Sequence, residues 1–142
     1  MELLIAHGAD VNAKDAFSNT ALHFCARNGY QMVIEQLIHS NSNLDLQNSN
    51  GESALHLAAK YGHAECVDIL LKCGARAEIA NKLRKTALHY SVLDRENANM
   101  VEATKSFLRL VGGRVRNHFT STSLFSYFKV KWSFFFQFTL KI

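Results

Sequence analysis

Apolar residues fall in short blocks separated by polar and glycine punctuation, and the blocks return at a fixed interval. Leu22, Cys25 and Ala26 stand at i, i+3 and i+4, the apolar stripe of a helix. Val33, Ile34, Leu37 and Ile38 follow at i, i+1, i+4 and i+5 and predict a second helix. Gly29 between the two marks a helix C-terminus. The sequence then repeats itself: Leu55, Ala58 and Ala59, next Gly62, next Val67, Leu70 and Leu71. Thr20, Ser53 and Thr86 precede the first helices and are good N-caps, because a hydroxyl can accept from an orphan N–H of the first turn. The small residues of the first helices permit close approach of neighbours. A single helix pair cannot bury its own face, so it must stack on the next pair.

The interval is 33 residues. Thr20-Ala21-Leu22-His23 returns as Ser53-Ala54-Leu55-His56 and as Thr86-Ala87-Leu88-His89. Asn28-Gly29-Tyr30 matches Tyr61-Gly62-His63, and Leu37-Ile38 matches Leu70-Leu71. Together with Gly8-Ala9-Asp10-Val11-Asn12 and its weaker copy Gly74-Ala75-Arg76-Ala77-Glu78, these residues resemble the ankyrin repeat family, whose period is 33 and whose hallmark is T-P-L-H-x-A. The resemblance covers residues 1–113 and implies an all-α solenoid of stacked helix-turn-helix units with β-turn tips. It divides the chain into a half repeat over 1–13, repeats over about 14–46, 47–79 and 80–113, and a tail over 114–142 outside the repeats.

The departures from the family pattern are specific. Ala21, Ala54 and Ala87 stand where the family has proline, a change that a helix tolerates. The turn glycine survives as Gly51, while Ser18 and Arg84 replace it in the other repeats. A non-glycine residue with positive φ costs roughly 1–2 kcal/mol. Arg95 replaces the helix-ending glycine of the third repeat, and about four extra residues precede its second helix, near Met100 to Leu110. Residues 2–8 match only the last half of a second helix. The expectation is therefore a fragment of a longer protein.

Composition adds a boundary. The formal charge of +4 resolves into 11 Lys and Arg against 12 Asp and Glu over 1–113, and five bases against no acids over 114–142. A nearly neutral body has no electrostatic footprint for a phosphate backbone, so no nucleic-acid partner is expected. The tail holds seven of the ten Phe and the single Trp132. From Phe128 to Ile142 its even positions are all apolar, which is strand periodicity. A strand, a sticky segment or a membrane-surface anchor fits that pattern, and so does translated AT-rich non-coding sequence. Membrane contact by the tail is the lesser reading. Cys25, Cys66 and Cys73 form no C-x-x-C, and 1–10 carries no signal-peptide pattern. No apolar run reaches the length of a membrane-spanning helix. A reducing compartment, cytoplasmic or nuclear, is expected.

Candidate chemistry is thin. His23, His56 and His89 lie one repeat apart, too far to share a zinc ion. The resemblance gives them a structural role, with the ring bonding backbone and the N-cap hydroxyl. His63 and Cys66 form an H-x-x-C that nothing nearby completes. Cys66 and Cys73 read as small buried or half-buried hydrophobes. Gly112-Gly113 lacks the context of a phosphate loop. Glu35, Glu65 and Asp68 read as solvated faces. No catalytic residue, metal site or cofactor is expected, and the chain reads as a non-enzymatic interaction module, a scaffold or adaptor. The alternative is the substrate-recognition part of a larger enzyme such as a protein kinase or ubiquitin ligase.

The resemblance also implies where a partner would bind, along the turn tips and the exposed side of the first helices. By position these are Ala16, Phe17 and Asn19, then Ser49, Asn50 and Glu52, then Lys82, Leu83 and Lys85, with Arg27, Asn28, Lys60 and Tyr61 from the helices. Aromatic residues and Arg on one face are of the kind that dominates binding energy. The basic third tip points to a protein partner with an acidic segment.

Overall fold

The computed structural model describes residues 7–93 and 98–111. The tail over 114–142, Arg95 and the N-terminal residues 1–6 lie outside the described residues. The described residues form six helices in order: α1 (Ala21–Asn28), α2 (Gln31–His39), α3 (Ala54–Lys60), α4 (Ala64–Lys72), α5 (Ala87–Leu93) and α6 (Ala98–Val111). They form three pairs. The first helices α1, α3 and α5 pack on one another in succession as an inner row, and α2, α4 and α6 do the same as an outer row. The described residues contain no strand, and the architecture is the all-α stack that the 33-residue pattern implies.

The core lies between the rows. Leu22, Cys25 and Ala26 of α1, Leu55, Ala58 and Ala59 of α3, and Cys66, Val67 and Leu70 of α4 are buried. The alanines bring the backbones of the inner row together, and the leucines fill the space towards the outer row. Helix α6 has 14 residues against nine in α2 and α4. Its buried Ala103 and Phe107 follow Cys66 and Leu70 by 37 residues, the repeat length plus the four extra residues. Phe107, 2% exposed, is the largest buried side chain among the described residues. One cysteine departs from the sequence reading. Cys66 is buried, and burial pushes its thiol up to about 11, but Cys73 is exposed. It is the C-cap of α4, where the chain leaves the helix and turns away from the core.

Hydrogen bonds of the three motif histidines join each helix start to its surroundings. The reciprocal capping box closes at Thr20 and His23 and again at Ser53 and His56. The amide of Thr20 donates to Nδ1 of His23 at 3.1 Å, and that of Ser53 to Nδ1 of His56 at 3.1 Å. The same contact recurs from Thr86 to His89 at 2.8 Å. The far edge of the ring reaches the next repeat: Nε2–H of His23 donates to the carbonyl of Glu52, and that of His56 to the carbonyl of Lys85, both at 3.0 Å. These partners fix the tautomer, since a carbonyl only accepts and an amide only donates. A proton on Nδ1 would oppose the N-cap amide, so the ring has to be neutral.

Backbone strain sits where the missing glycines predict it. Ser18 and Arg84 have φ of 61° and 57°, matching Gly51 at 75°. A second left-handed series stands at Gly8, Asn41 and Gly74, again 33 residues apart, the last two just after α2 and α4. Asn tolerates that region better than most residues. Gly29 is required twice over. It takes φ of 78° at the end of α1, and a Cβ there would stand 2.6 Å from the ring of His63. That ring is the N-cap of α4, and its Nε2–H donates to the carbonyl of Arg27 at 2.9 Å.

Two predictions follow from these contacts. Burial lowers the pKa of His23, His56 and His89 in the folded state below the ordinary 6.5. The unfolded chain therefore binds more protons at mildly acid pH. Stability is complete above about pH 6.5 and falls as pH drops from there through the lowered folded values. Urea midpoints at pH 7.5, 6.5 and 5.5 should decline in that order, and less steeply in His56→Gln. A flat series would contradict the neutral-ring assignment. Second, Ser18→Gly should stabilise by up to about 1 kcal/mol, the relief of strain being partly offset by glycine's unfolded-state entropy. Gly51→Ala should destabilise by more than about 1 kcal/mol, because its Cβ also meets the amide nitrogen of Lys82 at 2.9 Å. Thermal melts of the two variants should move in opposite directions.

Candidate functional site

Each tip is a turn built on one Asx side chain. Asp15 Oδ1 accepts from the amides of Phe17 and Asn19, both at 2.8 Å. Asn48 does the same for Asn50 and Glu52, and Asn81 for Leu83 and Lys85. These bonds, led by the one from the Asn19 amide, hold the Asp15 carboxyl below the usual carboxylate range. Asp15, Asn48 and Asn81 stand 33 residues apart, a signal present in the sequence but hidden by its lack of any apolar mark. Neighbouring tips are stitched together. The amide of Ser49 donates to the carbonyl of Phe17 at 2.9 Å, and that of Lys82 to Asn50 at 3.0 Å. The Ser49 hydroxyl adds a bond of 2.7 Å to the same Phe17 carbonyl. With the backbone committed in this way, the side chains of Phe17 and Leu83 stand out at 69% and 70% exposure.

The inner helices supply the other wall. Arg27 and Lys60 occupy equivalent positions one repeat apart. The Arg27 guanidinium lies 5.4 Å from the Tyr61 ring, and the Lys60 and Lys85 ammonium groups lie 5.6 and 5.7 Å from the Tyr90 ring. These are cation–π distances. Tyr90 is held in place by the Asn81 amide group, which donates to its hydroxyl at 2.8 Å. Between tips and helices lies a cavity of about 290 Å³ lined by Phe17, Asn19, Arg27, Ser49, Asn50, Glu52, Lys60 and Tyr61, all of them positions named from the sequence, together with His23, Phe24, Asn48 and Leu57.

The remaining named residues lie elsewhere. Ala16 and Asn28 are exposed outside the cavity, and the Asn28 amide group is turned back onto the carbonyl of Phe24 at 2.8 Å. Lys82, Leu83 and Lys85 form the third tip. Glu52 differs from its neighbours. It is 4% exposed, and its carboxylate accepts from Lys60 at 3.2 Å. Burial pulls the Lys60 ammonium down, but the Glu52 carboxylate outweighs it and the net shift is upward. Phe24 was passed over in the sequence because it falls off the buried stripe of α1. It is 46% exposed and aligns by 33-residue steps with Leu57 and Tyr90 along the same wall.

The acidic residues on the outer row are also less solitary than the sequence suggests. Glu65 accepts from the Gln31 amide group at 2.7 Å, and Asp68 pairs with both Lys72 and Arg109, tying α4 to α6. Lys72 first, then Arg109, holds the Asp68 carboxyl below its usual range. Among the described residues no group of three or more His, Cys, Asp or Glu is placed to hold a metal ion, and no helix is long and apolar enough to cross a membrane.

Comparison with known proteins gives the family. A model of ankyrin repeats in three copies matches residues 22–105, and a second model of ankyrin repeats in many copies matches residues 1–36. No curated protein matches the chain. The matches span most of the chain, and with the 33-residue helix pairs and the left-handed turn positions they assign it: this protein belongs to the ankyrin repeat family.

Proposed function

We propose that the chain is a protein-interaction module that takes an acidic segment of its partner along the turn tips and the exposed side of the inner helices. Ankyrin repeats in general mediate protein–protein binding, and eight of the thirteen positions named from the sequence line the cavity between tips and inner helices. The observation that carries the reading is the charge balance of the face. Arg27, Lys60 and Lys82 are exposed and Lys85 is half-buried, while the one carboxylate among the thirteen, Glu52, is buried and committed to Lys60. Arg27, Lys82 and Lys85 therefore meet no acid among these positions, while Lys60 is matched by Glu52. A partner carboxylate arriving there gains attraction without displacing an acid. Tyr61, Tyr90, Phe17 and Leu83 beside the cations add the aromatic and apolar area in which binding energy concentrates.

A nearly neutral repeat region argues against a nucleic-acid backbone as the ligand, since 11 bases meet 12 acids over 1–113. The surface works as a receptor by shape and charge, and no chemical step is required of it.

The test uses a fluorescein-labelled peptide rich in Glu and Asp, titrated into the full chain and followed by anisotropy. Charge reversal at the third tip, Lys82→Glu with Lys85→Glu, should weaken binding about tenfold or more and flatten its salt dependence. Both side chains reach solvent, so circular dichroism should show the helices retained. Unchanged affinity at low salt would refute the reading.

A further inference from the structure

We infer that the cavity between the first two tips is an anchor pocket for one large apolar side chain of the partner's acidic segment, about three to six residues from its carboxylates. The inference rests on the interaction face proposed above and adds to it a second subsite with a defined spacing.

The cavity is walled by rings. Phe17 leans from the first tip, Phe24 rises from α1 and Tyr61 closes the side at the end of α3, with Leu57 as the buried floor. Phe24 and Tyr61 are 46% and 45% exposed and bring ring surface to a lining whose other members are mostly polar or charged. Much of the polar lining is already engaged. Asn48 donates to Asn19 at 3.0 Å, the Ser49 hydroxyl donates to the Phe17 carbonyl, and Glu52 accepts from Lys60. A polar ligand would compete with these bonds, whereas an apolar side chain would cover the rings and leave the bonds intact. A volume of about 290 Å³ is at the floor of the range for small-molecule sites, roughly 300–1,000 Å³, and suits a single bulky side chain. Arg27, stacked on Tyr61, would lie over the edge of the filled pocket.

The spacing comes from the repeats. Packed helices lie about 8–10 Å apart, so the pocket and the Lys82–Lys85 tip are separated by one to two such steps. An extended chain advances about 3.3 Å per residue, which converts that separation into about three to six residues. Charge complementarity selects the occupant. The cationic side begins at Lys60, on the pocket's rim, and continues through Lys85 and Lys82. A segment with its bulky residue in the pocket therefore runs its acids over Tyr90 and the third tip. This is a peptide arrangement, because it asks for one isolated apolar group at a fixed distance from negative charge.

The probes are four fluorescein-labelled peptides: Trp followed by a flexible Gly/Ser spacer of about five residues and Glu-Asp-Glu, the same elements in reverse order, and a twin of each with Gly for Trp. Burying a large side chain is worth about 1.5–3 kcal/mol, so one order should bind the full chain about tenfold or more tighter than its Gly twin. That advantage should vanish in Phe24→Ala and persist in Lys82→Glu with Lys85→Glu, where both peptides weaken together. Phe24 is half exposed, so its removal leaves the fold in place. An advantage unchanged in Phe24→Ala, or no advantage in either order, would overturn the pocket while leaving the acidic-segment reading intact. Peptides insensitive to the charge reversal would overturn that reading itself. An oligouridylate bound as tightly, and likewise lost in Phe24→Ala, would assign the pocket to a nucleobase and overturn the peptide assignment.

Discussion

A neutral imidazole bridging two repeats is the contact on which the architecture depends. His23 and His56 each take an amide from their own N-cap on one edge and give a proton to a carbonyl of the next turn on the other. One ring thereby caps the start of an inner helix and locates the following tip. Both rings are buried, with 2% and 1% exposure. An unmet buried donor or acceptor there would cost about 1–3 kcal/mol, a large share of the stability of a short stack. The carbonyls that receive these bonds belong to Glu52 and Lys85, two positions of the proposed interaction face. Fold and surface are thus joined at the same atoms.

From that constraint the rest of the face follows. A tip located by the histidine is stiffened by its own Asx side chain and stitched to its neighbour by amides. The side chains of the tips are what remains for recognition. Three repeats repeat the backbone and vary the chemistry. Asn19, Glu52 and Lys85 occupy one register position, yet the first bonds to Asn48, the second is buried against Lys60 and the third lies beside Tyr90. Phe24, Leu57 and Tyr90 vary in the same way, from exposed ring to buried aliphatic to anchored phenol. An even scaffold therefore carries an uneven surface, aromatic towards the first tip and cationic towards the third.

The helices were legible in the sequence because their signals are periodic and strong. The Thr/Ser-Ala-Leu-His tetrapeptides and the apolar stripes through Ile34, Leu37, Val67 and Leu70 recur at one step, and burial of those residues is what makes helix pairs stack. The strained turns at Ser18 and Arg84 were legible too, as the places where glycine is missing. What escaped was side-chain direction. Register puts Glu52 on the tip, but its fate depends on Lys60, eight residues away, offering a partner inside the wall. Cys73 sits close to a buried stripe, but the helix ends there and turns it outward. Phe24 is the clearest case: it falls off the apolar stripe of Leu22, Cys25 and Ala26, and only the packing of α3 against α1 shows that it lines the cavity.

The central claim is that each histidine ring holds the tip of the repeat after its own. Amide hydrogen exchange, resolved by segment in His56→Ala and in the parent chain, tests this most directly. Protection should fall over the third turn, 81–86, and stay unchanged over the first, 15–20. Loss confined to α3 itself, or spread evenly over all three turns, would contradict the account.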